Sequence, residues 1–364
     1  MKARKTMKTL MMLAVLTVFL TVTAFSEGEI DISYAGYTIS QPGSYIVVDD
    51  LHAATDQNAI TIETSNVSID LNGHTLYGAG TTTGTSGNGI YDATGSGVNN
   101  ISIINGTIRD FRESGIYLTG TNERVQKVNT IANKNIGIFS NGAVLSGGGV
   151  ISECNSAFNG SHGIACLDGV IRNNVAANNG GYGIDVYENS VVTDNSVIRN
   201  GTGGIYCSAC TLAHNQVAYN LVDGIIAYVS LVENNNVYSN NHDGIKCYKG
   251  RIIHNYVQGN GNNIFGYGAG IDASSDNTIE ENTLLSNDTG LLTTSTANFI
   301  TGNQLHLNTV SIFTSSGNLL GDGTTGFFNK VYYAQPNYLI QQFAGFEIPV
   351  LRESPESVIR NLEW

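Results

Sequence analysis

Charge, proline and long apolar runs are all scarce in this chain, and each shortage removes a class of protein. Only 13% of the 364 residues are charged and only 4 are proline. Little charge combined with plentiful Val and Ile excludes a disordered chain. Basic residues number 17 against 30 acidic ones, a net charge of −13. The sequence has no basic stripe with interleaved aromatics, so nucleic acid is not an expected partner. The one long apolar run, Leu10 to Val22, falls short of the ~20 residues that span a bilayer. It follows Lys2, Arg4, Lys5 and Lys8 and leads into Ala24-Phe25-Ser26. That order is the pattern of a secretory signal peptide over residues 1–26. The protein is therefore expected to be exported, to the periplasm, the cell surface or the medium, without stable membrane insertion. Cleavage would remove the four basic residues and move the net charge from −13 to −17.

What remains is longer than a typical compact domain and would ordinarily suggest two. A repeat chain escapes that limit, because each unit packs only on its neighbours. Glycine, at 43 residues, and asparagine are abundant, and both recur in phase. A Gly-Ile pair stands at Gly89, Gly115, Gly137, Gly163, Gly183, Gly204, Gly224, Gly244 and Gly270, and a Gly-Leu pair at Gly290. The intervals run from 20 to 26 residues, a solenoid period with insertions. A second unit, apolar-x-x-Asn-x-apolar, follows the last seven of these pairs at Asn173, Asn195, Asn215, Asn235, Asn255, Asn282 and Asn303. Another asparagine follows five residues later, from Asn178 to Asn308. The apolar positions flanking the first asparagine begin at Val170 and Val175.

Each apolar segment is too short for a helix and rich in β-branched residues, so it reads as a strand. Twenty residues at ~3.3 Å each make one turn of a three-sided coil, and stacked coils sit ~4.8 Å apart. Asparagine tolerates a left-handed bend and can bond its counterpart in the next coil. Aspartate stacked at that spacing would repel itself. Leucine-rich repeats share the period, but their Leu-x-x-Leu-x-Leu scaffold is absent. The fold predicted is all-β, a parallel β-helix of about ten to twelve coils.

These units resemble the right-handed parallel β-helix repeat family of pectin lyase-like proteins. The resemblance extends to Gly43-Ser44-Tyr45-Ile46-Val47 and to Asn66-Val67-Ser68-Ile69-Asp70-Leu71-Asn72-Gly73-His74-Thr75, which look like an entry coil. The family includes pectate lyases, polygalacturonases, alginate-modifying enzymes and periplasmic copper-binding accessory proteins. The likeness covers roughly residues 30–325 and is specific for fold, because this fold hosts many chemistries. It implies a signal peptide at 1–26, an N-terminal cap and entry coil at 27–75, repeats at 76–325 and a C-terminal cap at 326–364. Open strand edges aggregate, so residues 30–57 and the aromatic tail are expected to cover the two ends. Ser354 at N-cap and Pro355 at N1 predict a short helix over 355–363. The resemblance also makes the Gly-Ile unit the first strand of each coil, whose outer face lines the substrate groove in related enzymes.

With Ile inward, alternation sends the next residue and the third outward. One outward row is Tyr117, Phe139, Asp185, Tyr206, Ile226, Lys246 and Asp272. The other is Asn141, Tyr187, Ser208, Tyr228, Tyr248 and Ser274. The turns ahead of these strands add His162, Tyr182, Asp223, His242 and Asp243. An inserted loop from Gly259 to Ala269, carrying Asn262, Asn263, Phe265 and Tyr267, would wall one side. Sugar faces stack on aromatic rings and sugar hydroxyls need convergent polar groups, so this face is expected to bind a polysaccharide. Asp185, Tyr187, Tyr206, Tyr228 and Tyr267 are the candidate sugar contacts. A tyrosine ladder that only braces an exposed sheet by cross-strand stacking is the plainer alternative.

Lyase-like β-elimination on an acidic glycan needs a base, a carboxylate neutraliser and an acid. Lys246 or His242 is the candidate base, and Tyr248 or Tyr228 the acid. Asp223, Asp243 and Asp272 are candidate ligands for Ca²⁺, a hard cation that would also bridge an acidic protein to a uronate. Asp243 and Asp272, on adjacent coils, could instead form a hydrolytic pair. The departures from the family are plain. The Asn-Thr-Asp, Asp-Asp and Gly-His-Gly motifs of polygalacturonases are missing, with Ser161-His162-Gly163 a partial echo. The first-strand face carries no arginine of the pectate-lyase kind, and the Asp-Pro-His-Asp motif of alginate epimerases is absent. A non-catalytic glycan-binding or cell-surface protein, monomeric like the enzyme reading, therefore stays open. A metal-binding accessory role is weaker: His214 and His254 lie two coils apart, ~9.6 Å, too far to share an ion. Cys166, Cys207 and Cys247 read as small core residues. The pair Cys207 and Cys210 lacks the helix that activates redox thiols.

Overall fold

The computed structural model describes residues 28–82, 84–92, 97–141, 148–261, 268–314, 319–320, 330–332, 351–353 and 359–361. The expected signal peptide and the loop tip bearing Tyr267 lie outside them. Every Gly-Ile unit becomes a short strand, and these strands stack into one parallel sheet of 13, from Tyr37–Ile39 to Val310–Thr314. A second sheet of 27 strands wraps the other two sides of the coil. Among the described residues there is no helix. The chain is a right-handed parallel β-helix. Residues Ile30–Ile32 already pair parallel with Gly43–Val47, so coiling starts at the first described strand. The expected helix over 355–363 falls mostly outside the described residues, but Ile359–Asn361 is a strand antiparallel to Leu351–Glu353.

The inward column shows why the period holds. Ile116, Ile138, Ile164, Ile184, Ile205, Ile225, Ile245 and Ile271 pair in strict register and are completely buried. Each such side chain contributes about 1.5–3 kcal/mol by leaving water. The glycine ahead of each Ile is required by close approach between coils, not by a left-handed backbone. A Cβ on Gly224 would lie 2.5 Å from the carbonyl oxygen of Gly244, and one on Gly244 would lie 2.6 Å from that of Gly270. No side chain fits there without pushing coils apart.

Two asparagine ladders run up the corners. Each Asn Oδ1 accepts the backbone N–H and the Nδ2–H of the asparagine one coil earlier. Asn195 donates in this way to Asn215 at 3.1 and 3.0 Å, and Asn215 to Asn235 at 2.9 and 3.0 Å. The Nδ2 group also reaches a carbonyl of a preceding coil, as Asn215 does with Val192 at 2.8 Å. These asparagines are buried and fully bonded. The structure corrects the expected register in one coil: Asn174 and Asn179 carry the ladder, not Asn173 and Asn178. Ile171 and Ala176 are accordingly inward, while Val175 is exposed. It also moves the left-handed bend. The residue before each ladder asparagine takes it, including Asn173 (φ 56°), His214 (φ 57°) and His254 (φ 56°).

All five cysteines are buried and none forms a disulfide. Burial pushes the Cys166 and Cys247 thiols up to about 12, which keeps them inert.

Candidate functional site

The 13-stranded sheet presents the expected outward rows in register. Asp185, Tyr206, Ile226, Lys246 and Asp272 are successive partners, and so are Tyr187, Ser208, Tyr228 and Tyr248 beside them. Tyr182, Gly203 and Asp223 are successive partners at the strand starts, and the Asp243 backbone N–H donates to Asp223 Oδ1 at 3.0 Å. Asp185 and Lys246 are thus three coils apart on one face, ~14 Å by the coil spacing.

The rings between them form an unbroken ladder. His162 stacks on Tyr182 at 5.7 Å between centroids, and Tyr182 meets Tyr206 at 5.5 Å. Tyr206 also meets Tyr187 at 5.5 Å and Tyr228 at 5.8 Å, and Tyr228 meets Tyr248 at 6.3 Å. Tyr187, Tyr228 and Tyr248 each leave 37–39% of their surface in solvent. Rings tilted against one another and partly exposed are a platform as well as a brace. The face extends further than the sequence reading took it. Tyr91 pairs with Tyr117 and stacks on it at 5.9 Å, and Tyr117 stacks on Phe139 at 4.6 Å. The signal for Tyr91 was present, since it follows Ile90 in the first Gly-Ile pair.

Carboxylates and imidazoles gather at the two ends of the ladder, joined by a lysine at one of them. At one end His162 Nε2 lies 3.6 Å from Asp185 Oδ2. Burial raises the Asp185 carboxyl against the pull of His162, and burial beside Asp185 pushes the Tyr187 hydroxyl up to about 12. At the other end His242 Nδ1 lies 2.7 Å from Asp223 Oδ1 and 3.2 Å from Asp243 Oδ2. Asp243 Oδ1 accepts the Ala269 N–H at 2.8 Å. Burial pushes the Asp243 carboxyl up to about 6, opposed by the Ala269 amide and by His242. Lys246 Nζ bridges Asp243 Oδ2 at 3.6 Å and Asp272 Oδ2 at 3.3 Å. Partial burial pulls its ammonium down, but Asp272 and Asp243 outweigh burial and hold it above the usual lysine value.

The candidate catalytic and metal residues Lys246, His242, Asp223, Asp243 and Asp272 are therefore one contiguous cluster, with Tyr248 on the next column. Two details reshape the expected roles. Lys246 occupies the space between Asp243 and Asp272, so an ion shared by all three aspartates would have to displace an ammonium. Asp243 is 1% exposed, which places it behind Lys246 rather than facing a sugar as half of a hydrolytic pair. A second acidic group went unread in the sequence. Glu123 and Asp92 are buried beneath the coil wall, with Glu123 bonded to the Gly120 N–H and the Ser140 hydroxyl.

The comparisons agree with this architecture. The family described as right handed beta helix region matches residues 42–217. The A-module of mannuronan C-5 epimerase AlgE6 from Azotobacter vinelandii superposes with a TM-score of 0.52 at 15% identity, covering 82% of this chain and 92% of that one. The AlgE4 A-module of the same organism gives 0.53 at 15% identity, covering 81% and 91%. Tailspike protein 3 of bacteriophage CBA120 gives 0.56 at 10% identity, covering 93% of this chain and 65% of that one. At such identities the likeness is one of fold. No curated protein matches the chain. No described helix is long and apolar enough to cross a membrane.

Proposed function

We infer that this is an exported protein that binds a polysaccharide lengthwise along the face of the 13-stranded sheet. The observation that carries the reading is the ladder from Tyr182 through Tyr206, Tyr187, Tyr228 and Tyr248, half exposed and flanked at both ends by acid–imidazole groups. Such a surface stacks sugar faces and bonds hydroxyls along the coil axis. Superposable proteins named as mannuronan epimerases fit a glycan partner of this kind. Replacing Tyr228 by Ala should weaken oligosaccharide binding about tenfold, a loss of ~1.4 kcal/mol, with unchanged circular dichroism. Unchanged affinity would leave the rings as a structural brace alone.

A lyase-like reading on an acidic glycan is favoured by the cluster at the far end. Lys246, held charged by Asp272 and Asp243, is suited to meet a uronate carboxylate. His242, aligned by Asp223, is the better candidate base, and Tyr248 the acid for the leaving oxygen. A divalent cation held by Asp223 and Asp243 would further offset repulsion between protein and uronate. The expected product is an unsaturated uronyl end, read as new ultraviolet absorbance on a panel of uronate polymers with and without Ca²⁺. Binding that produces neither absorbance nor new reducing ends would reduce the protein to a glycan-binding one.

A further inference from the structure

We propose that Asp223, His242 and Asp243 form a binding site for one borderline divalent metal ion of the Zn²⁺ or Co²⁺ type. The inference sharpens the cation part of the preceding reading, but it needs no glycan to be true. Three donor atoms, one from each residue, lie within 4.8 Å of one another. His242 Nδ1 stands 2.7 Å from Asp223 Oδ1 and 3.2 Å from Asp243 Oδ2. Around an ion with bonds near 2.1 Å, neighbouring ligands sit about 3.0–3.4 Å apart, so small adjustments bring these donors into place.

The second observation is Asp243 itself. Its side chain is 98% buried, yet Oδ2 has no hydrogen-bond partner, and that oxygen points at the imidazole. The other oxygen is fixed by the Ala269 N–H, so the carboxylate cannot turn away to satisfy itself. Asp223 is pinned in the same manner, its Oδ1 accepting the Asp243 N–H at 3.0 Å. Backbone bonds that orient each ligand are the support metal sites require. That oxygen is held only by the longer ion pairs to His242 at 3.2 Å and Lys246 at 3.6 Å, and an ion would give it the direct bond it lacks.

The class of ion follows from the donors. Calcium takes six to eight oxygen ligands, and one of three donors here is an imidazole nitrogen. Imidazole with carboxylates suits zinc and its neighbours. The geometry excludes Asp272 from the set, because Lys246 Nζ already holds it at 3.3 Å. Lys246 can relax onto Asp272 when an ion takes Asp243. The 27% exposure of the His242 side chain leaves an open side for water or a substrate oxygen. Metal at Nδ1 would replace the contact by which Asp223 aligns the imidazole and lower the basicity of the remaining Nε2, so loading the site would change the chemistry this cluster offers.

The test is calorimetric titration of the chelator-stripped full chain with Zn²⁺, Co²⁺ and Ca²⁺ separately, with the visible spectrum followed for Co²⁺. The expected result is one equivalent of Zn²⁺ or Co²⁺ and intensified cobalt absorption, with Ca²⁺ at least a hundredfold weaker. His242→Ala and Asp243→Asn should each weaken Zn²⁺ binding tenfold or more while circular dichroism is unchanged. Asp272→Asn, which removes only the carboxylate that Lys246 relaxes onto, should weaken it by much less than either. Preference for Ca²⁺, absence of saturable binding, or equal losses in Asp272→Asn and Asp243→Asn would overturn the proposal. Glycan binding measured in chelator separates the two claims: if it persists while metal binding fails, this inference alone falls.

Discussion

Glu123 shows what a single buried acid does to the whole. It is 2% exposed, on the inward side of the strand Thr121–Ile131. Its Oε1 accepts the Gly120 N–H at 2.7 Å and its other oxygen accepts the Ser140 hydroxyl. Burial pushes this carboxyl up to about 7 from an ordinary 4.5, and the nearby Asp92 carboxylate adds to the shift. A folded-state value above the unfolded one means that the unfolded chain loses this proton first as pH rises. The stability is therefore whole below about pH 4.5, declines through the interval up to about pH 7, and stays reduced above it. At 1.36 kcal/mol per pH unit the loss is about 3 kcal/mol. Glu123→Gln keeps a donor and acceptor without a charge. It should flatten this part of the profile and make the protein more stable than wild type at pH 8 but not at pH 4.5, as measured by urea unfolding. Equal differences at both pH values would show that Glu123 is not protonated in the fold. Nothing in composition reveals such a residue: one glutamate among 30 acidic residues reads as surface until the strand around it is placed.

At the level of the coil, the ladder and the glycine column do different work. Asn215 accepts two bonds from Asn195 and donates to Val192, Ala213 and Asn235. Asn215→Ala strands several buried backbone groups at once and should cost about 2–5 kcal/mol. Asn173→Ala, at an exposed left-handed corner, should cost about 1 kcal/mol. Chemical denaturation of both variants checks the contrast, and similar losses would mean that the ladder adds little beyond its turns. The same pair marks the limit of what the sequence disclosed. The period, the inward isoleucines and the outward rows from Asp185 to Asp272 were readable, since alternation and a 20-residue repeat fix them together. The doublets Asn173-Asn174 and Asn178-Asn179 satisfy the repeat in either register. Only the burial of Ile171 over Val170 and Ala176 over Val175 decides between them. The contact among Asp223, His242 and Asp243 was half visible. Their column could be inferred, but the backbone N–H bonds that aim each carboxylate could not.

Across the whole molecule, coils contact only their neighbours, so stability should be close to a sum of repeats and interfaces. That makes a coil removable. Gly203 pairs with Asp223, one coil on, and Thr202 lies one position before it. Deleting residues 203–222 would join Thr202 to Asp223 and bring Asn195 beneath Asn235 and Asn200 beneath Asn240. The isoleucine column would close from Ile184 to Ile225, and Tyr187 would come to lie beside Tyr228. The shortened chain should keep its β circular dichroism and a cooperative unfolding transition. It should still bind one equivalent of Zn²⁺, because Asp223, His242 and Asp243 sit on coils that the deletion leaves adjacent. Its groove would be ~4.8 Å shorter and would lack Tyr206, so the longest oligosaccharide that still gains affinity should be shorter than for the intact chain. Collapse of the fold would contradict nearest-neighbour stacking. An intact fold that no longer binds zinc would show that the metal site depends on coils beyond its own two. Unchanged length dependence would place the glycan somewhere other than this face.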